Sequence, residues 1–276
     1  MDLSQIFWVF FVVLAVWPML KQQTILRARV KLIRAIEEKR NSRLITLIHR
    51  QEAISILWLP ISRYISIEDS EQVLRAIRLT PDDMPIDILL HTPGGLVLAS
   101  EQIAHALLRH PAKVSVLVPH YAMSGGTMIA LAADDIIMDG NAVLGPVDPQ
   151  IGQYPAVSIL SAVKQKNINR VHDETLILAD MAQKAMHQVE EFLVELLTDK
   201  MSPEKAKTLA HTLSGGRWTH DFPITCDRLK EMELPVTPSL PSEIYDLMEL
   251  YPQQAQRRPS VQYIPIPYGG GGAKKP

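Results

Sequence analysis

Cysteine is almost missing: Cys226 is the single thiol among 276 residues. One thiol closes no internal disulfide, and no metal cluster can be built around it, which suits a reducing compartment. An excess of charge of one sign is missing too. Lys and Arg number 28 against 30 Asp and Glu, a formal net charge of −2, so no global field recruits nucleic acid. The phosphate-cradling pattern G-x-x-x-x-G-K-[ST] does not occur, and nothing supports ATP use. No internal repeat is evident. Mean hydropathy is near zero, which excludes a multi-span membrane protein. Hydrophobic residues at 47% nevertheless suffice for one buried core with appendages.

One long apolar run is present. From Leu3 to Leu20 only Ser4, Gln5 and Pro18 interrupt it. A spanning helix needs roughly 20 apolar residues, with about 17 as the lower limit, so residues 1–20 read as a single transmembrane anchor. Trp8 and Trp17 suit the two interfaces. A cleaved signal peptide would carry a basic start and a small-residue cleavage site. Here Asp2 is the only charge before the run and Lys21 follows it directly, so the anchor reads as uncleaved. Residues 21–50 hold nine Lys and Arg against Glu37 and Glu38. They read as a basic helical stalk, and the positive-inside bias turns the rest of the chain toward the cytoplasm.

Beyond the stalk, residues 51–251 read as one domain. The run AISILWLPI from Ala53 predicts a buried strand. Ser66 opens a capping box with Asp69 for a helix carrying Val73, Leu74 and Ile77. Strands are expected at 86–91, 114–119 and 136–138, and helices at 97–109 and 127–133. A long helix at 173–198 follows from the spacing of Leu178, Ala182, Ala185, Val189, Phe192 and Leu196. Ser202-Pro203 starts another helix, stopped at Gly215-Gly216. Strands alternating with helices predict an α/β fold of parallel βαβ units. Right-handed crossovers then collect the strand ends on one rim. Residues 252–276, with five prolines and the run Gly269–Gly272, read as a disordered tail.

Two turns on that rim carry chemistry. In VSVLVPHYAMSGGTMIALAA, Ser124 stands between a strand and a helix. Free N–H groups at a helix start stabilise negative charge there, and the glycines that follow admit a close substrate. The plain alternative is that Ser124 only caps the helix. The second turn, His91-Thr92-Pro93-Gly94-Gly95, has adjacent glycine N–H groups suited to an oxyanion hole. Its plain alternative is a tight turn after Pro93. The two in order, Ser124 following Gly95 by 29 residues, are more specific than either alone.

HTPGG, YAMSGGTMIALAAD, LGPVDPQIG and WTHDFPIT together resemble the serine dehydrogenase proteinase family, a membrane-linked branch of the Clp-protease/crotonase fold akin to signal-peptide peptidase A. The resemblance spans roughly residues 50–250. It implies repeated ββα and βαβ units with a long protruding helix, a peptide or protein substrate, and homo-oligomers assembled partly through that helix. It also implies Ser124 as nucleophile, with Gly95 and Gly125, beside Gly94, forming the oxyanion hole. The Clp-type histidine has no counterpart, since Pro149 stands there. A lysine base, as in the signal-peptide peptidases, is therefore expected: Lys184, in apolar surroundings that would lower its pKa, or Lys166 or Lys164 before the long helix. His220 is the histidine alternative, with a suitable unperturbed pKa. Asp148, rigidly flanked by Pro146 and Pro149, reads as structural.

The expectation is thus a membrane-anchored serine peptidase needing no metal or cofactor. Two other readings stand beside it: a catalytically inactive membrane scaffold of the same fold, and a crotonase-type acyl-CoA enzyme, which needs no nucleophilic serine.

Overall fold

The computed structural model describes residues 3–50 and 64–251, without the side chains of residues 3–6, 8–10, 12–15 and 18. The strand expected from Ala53 and the tail 252–276 lie outside the described residues. In chain order the elements begin α1 (Leu3–Arg40), β1 (Arg43–Ile48), α2 (Ile67–Arg78), β2 (Ile86–His91) and α3 (Val97–Leu108). Then come β3 (Val114–Val118), β4 (Tyr121–Ala122), α4 (Gly125–Ala132), β5 (Asp135–Met138) and β6 (Val143–Leu144). After β7 (Gln150–Ile151) and β8 (Tyr154–Pro155), α5 (Ala156–Gln165) leads to α6 (Asp173–Thr198) and α7 (Pro203–Ser214). The described chain closes with β9 (Ile224–Thr225), α8 (Cys226–Glu231), β10 (Val236–Thr237) and α9 (Ser242–Glu249).

The central sheet is parallel, in the order β1-β2-β3-β5-β10. Strands β2 and β3 are buried at every position, as expected of parallel strands covered on both faces. Their period-two alternation divides the core. Ile86, Ile88, Leu90, Val114, Val116 and Val118 face a large cluster that includes Ile103, Ile129 and Leu193. Leu89 and Leu117 face a smaller one with Ile36 of α1 and Leu247 of α9.

The stalk reading needs correction. Helix α1 ends at Arg40; Asn41 takes φ 49°, a left-handed conformation that asparagine tolerates. The chain then enters β1, which pairs with β2 along its whole length. The density of basic residues masked a short strand, R-L-I-T-L-I, rich in apolar and β-branched residues but without a clean alternation. Arg40 locks the junction: it and Ser42 donate to Asp87 of β2, Arg40 Nη2 at 2.8 Å and Ser42 Oγ at 2.5 Å. Among the described residues no helix is long and apolar enough to cross a membrane. The long helix runs over 173–198 as its periodicity predicts, and Ser66 with Asp69 forms the expected capping box.

A second, three-stranded sheet, β4-β6-β9, positions the site. β6 runs parallel to β4, and β9 antiparallel to β6. The chain after β4, the chain after β6 and the chain before β9 therefore leave from the same end. Ser124, Asp148 and His220 lie two, four and four residues beyond that end.

Candidate active site

Ser124 joins β4 to α4 at φ 49° and ψ −114°, outside the regions L-residues normally occupy and worth about 1–3 kcal/mol of strain. Its side chain makes no capping bond to α4, so the capping role is not what holds it there. The turn is fixed instead by backbone bonds from Gly126 N–H to the Met123 carbonyl (2.7 Å) and from Thr127 N–H to the Ser124 carbonyl (2.8 Å). The Gly125 N–H, at the first helical position, has no intrahelical acceptor.

The HTPGG turn is pressed against this serine. Gly94 has φ 107°, and a Cβ there would stand 2.9 Å from Ser124 Cβ and 3.3 Å from Gly125 N. A Cβ on Gly95 would stand 2.3 Å from the Ile65 backbone, so neither position accepts a side chain. Ile65 N–H donates to the Gly94 carbonyl (2.8 Å), and Leu96 N–H donates to the Ile65 carbonyl (2.9 Å). In such a parallel bridge the N–H of Gly95 itself points away from Ile65. Gly95 N lies 3.6 Å from where a Gly125 Cβ would be. The N–H groups of Gly95 and Gly125 are thus neighbours beside Ser124. That of Gly94 is already engaged, donating to Thr92 Oγ1 at 3.2 Å, so Gly94 shapes the turn rather than serving as a donor.

His220 and Asp148 form a pair. His220 Nδ1 lies 2.7 Å from Asp148 Oδ1, and Gln150 Nε2 donates to the other carboxylate oxygen at 2.6 Å. The Asp148 side chain is 3% exposed and that of His220 39%. The hydrogen bond to Asp148 raises the His220 pKa above the ordinary value, with burial opposing it. A bond from Phe222 N–H to the Thr219 carbonyl closes the turn that presents the ring. Trp218 and Phe222, on either side of His220 in the chain, stack at 5.2 Å and 3°. Asp148, read from sequence as structural, is therefore also the partner of His220.

The lysines differ from expectation. Lys184 is 69% exposed and bonded to Asp180 at 2.5 Å. The buried face of α6 is carried by Ala179, Ala182, Val189 and Phe192, and helical rotation turns position 184 outward. Its apolar sequence neighbours do not cover it. Lys164 and Lys166 are exposed at the end of α5. A lysine that burial does push down is Lys200. It donates to the Ala133 carbonyl, at the far end of α4 from Ser124, about 12 Å along the helix axis. Among the described residues no group of His, Cys, Asp or Glu side chains is arranged to hold a metal.

Sequence reading also passed over His49. Its ring is buried and connects Thr92 of the glycine turn to Asp69 of α2. A lone histidine after a strand carries no signal of this, because its partners lie 20 and 43 residues away.

Two uncharacterized proteins of Methanocaldococcus jannaschii resemble the chain closely. One is 55% identical over 99% of this chain and 94% of its own length. The other is 56% identical over 96% and 92%. Among solved structures, a mutant of the 1510-N membrane-bound stomatin-specific protease aligns over 68% of this chain and 79% of its own, at 19% identity and a TM-score of 0.45. ClpP1 from Listeria monocytogenes aligns over 74% and 96%, at 14% identity and a TM-score of 0.46. The model of the ClpP-like SDH-type serine proteinases matches residues 1–276, and the chain belongs to that family.

Proposed function

We propose that the protein hydrolyses peptide bonds through an acyl-enzyme on Ser124, with His220 as general base and Asp148 as its orienter. The observation that carries the reading is the strained Ser124 set against the N–H groups of Gly95 and Gly125, a geometry suited to holding an oxyanion. Asp148 accepts the proton-bearing Nδ1 of His220, leaving Nε2 to take the proton of Ser124 Oγ as that oxygen bonds to the substrate carbonyl. The tetrahedral oxyanion collapses, the C–N bond breaks, and His220 returns the proton to the leaving amine. Water, deprotonated by the same ring, then releases the acyl group.

The common end of β4, β6 and β9 supports this assignment. Strands β4 and β9 are two spacings apart, about 10 Å, and the reading requires His220 Nε2 to come within hydrogen-bond reach of Ser124 Oγ in the substrate complex. The exposure of Lys184, Lys166 and Lys164 weighs against a lysine base. The test is labelling by a fluorophosphonate probe. Ser124→Ala is expected to abolish it without unfolding the protein, and persistent labelling would overturn the assignment. His220→Ala is expected to slow labelling at least a hundredfold, in line with general-base catalysis. Lys164→Ala, Lys166→Ala and Lys184→Ala should stay near the parent rate; a large loss in one of these instead would transfer the role to that lysine.

The membrane reading belongs to the same proposal. Phe7, Phe11, Trp17, Met19 and Leu20 of α1 are exposed, which favours a lipid-embedded anchor with the catalytic domain on the cytoplasmic side. Homo-oligomers are supported by Tyr154, Ile168, Ile177 and Met181, large apolar side chains left exposed around α5 and α6.

A further inference from the structure

A buried polar chain runs into the glycine turn. Gly94 N–H donates to Thr92 Oγ1 (3.2 Å). Thr92 Oγ1 lies 2.9 Å from His49 Nδ1, and His49 Nε2 lies 3.2 Å from Asp69 Oδ2. That carboxylate oxygen is itself fixed by Ser66, whose N–H and Oγ both donate to it at 2.9 Å. Thr92 is fully buried and His49 is 5% exposed.

With a neutral ring, one proton arrangement gives every donor an acceptor. As a carboxylate Asp69 only accepts, so Nε2 carries the ring proton and Nδ1 accepts from the Thr92 hydroxyl, which lies nearer to it (2.9 Å) than to the Gly94 carbonyl (3.3 Å). Thr92 Oγ1 is then an acceptor for Gly94 N–H. All donors point one way, toward the carboxylate, the arrangement in which successive hydrogen bonds strengthen one another. The chain ends on the residue whose φ of 107° sets the turn and whose Cα packs on Ser124. Thr92 is tied to the nucleophile turn as well. Its carbonyl accepts from Met123 N–H (3.0 Å), and its N–H donates to the Tyr121 carbonyl (3.2 Å). One residue therefore ties the two halves of the site together, its side chain holding Gly94 and its backbone the turn before Ser124.

We propose that His49 and Asp69 are positioning residues for the oxyanion hole. They act through Thr92 to hold Gly94, so that the Gly95 N–H is aimed with that of Gly125 at the developing charge. The inference rests on the acyl-transfer reading of Ser124. It differs from the base assignment, because this histidine is directed at the oxyanion donors and not at the nucleophile.

Two readouts on the full chain test it. The first is the fluorophosphonate labelling rate, resolved into maximal rate and half-saturating probe concentration. Thr92→Val and His49→Ala are each expected to lower the maximal rate about ten- to a hundredfold, the scale for residues that orient a site through others and less than the outright loss of an oxyanion donor. The half-saturating concentration should change less than about twofold. The double variant should lose no more than the worse single one, since both cut one chain, and Thr92→Ser should restore the rate. The second is deuterium exchange of the peptide containing Gly94 and Gly95, which needs no activity. Exchange should quicken at least tenfold in Thr92→Val and His49→Ala and stay at the parent level in Thr92→Ser. Unchanged exchange, or additive rate losses, would overturn the positioning role. An unlabelled parent with altered exchange would keep the hydrogen-bonded chain as a structural device and remove the acyl-transfer reading beneath it.

Discussion

Ser124 keeps a backbone conformation that glycine would hold at little cost. Ser124→Gly should therefore be more stable than Ser124→Ala by about 1 kcal/mol, read as a higher midpoint of thermal unfolding, and equal midpoints would argue against strain. His220 responds to pH in a defined direction. Asp148 raises its pKa, so the neutral ring needed for proton transfer prevails only above a midpoint higher than the ordinary 6.5. The acid limb of the labelling rate should lie there, and Asp148→Asn should move it to lower pH. The same pair stabilises the fold most below the unfolded pKa, and that contribution fades as pH rises through the folded one. His91 behaves oppositely. Burial first, then the charges of His120 and Arg50, push its pKa down to about 4. Between pH 6.5 and 4 the unfolded chain takes up a proton that the folded chain resists, so stability falls as pH falls. His91→Phe, beside Tyr121 at 4.3 Å, should flatten that slope in unfolding midpoints measured across the interval.

Among the elements, the junction of α1 with β1 depends most on specific polar contacts. Asp87 is nearly buried and holds Arg40 and Ser42. Removing Arg40 would leave the buried Asp87 carboxylate without its cation, a strongly destabilising change, whereas an exposed pair such as Lys39 with Glu243 contributes little. Denaturant titration of Arg40→Ala against Lys39→Ala should show that contrast, and equal losses would argue against a special role for the Arg40–Asp87 pair. The elements legible in the sequence are those with a sustained period or a local cap. Strand β2 and helix α6 keep their expected bounds, and α2 starts at its Ser66–Asp69 box. The strands β4, β6 and β9 are two residues long, too short for a period to register. They nonetheless decide that the segments bearing Ser124, Asp148 and His220 leave from one end of a sheet.

At the scale of the molecule, one parallel sheet covered on both faces carries the site on its carboxyl rim, the usual place in open α/β folds. Helix α1 contributes Ile36 to the smaller core cluster, so its C-terminal half belongs to the domain while its N-terminal half extends as the proposed anchor. Deleting residues 1–20 should shift the protein from the membrane fraction to the supernatant and leave Ser124 labelling intact. Retention in the membrane fraction would reassign the anchor.

The sequence by itself determined the α/β alternation, the long helix, the two glycine turns and the serine between strand and helix. Each of these depends on neighbours within a few residues: a cap, a period, or a glycine where the backbone must turn. The tertiary structure decided which distant side chains pair with one another. It buried Asp148 against a histidine 72 positions away and turned Lys184 to solvent. It also carried His49 to a threonine 43 positions further on. Such pairings depend on sheet order and helix rotation, and residues that far apart along the chain have no local energy by which to announce them.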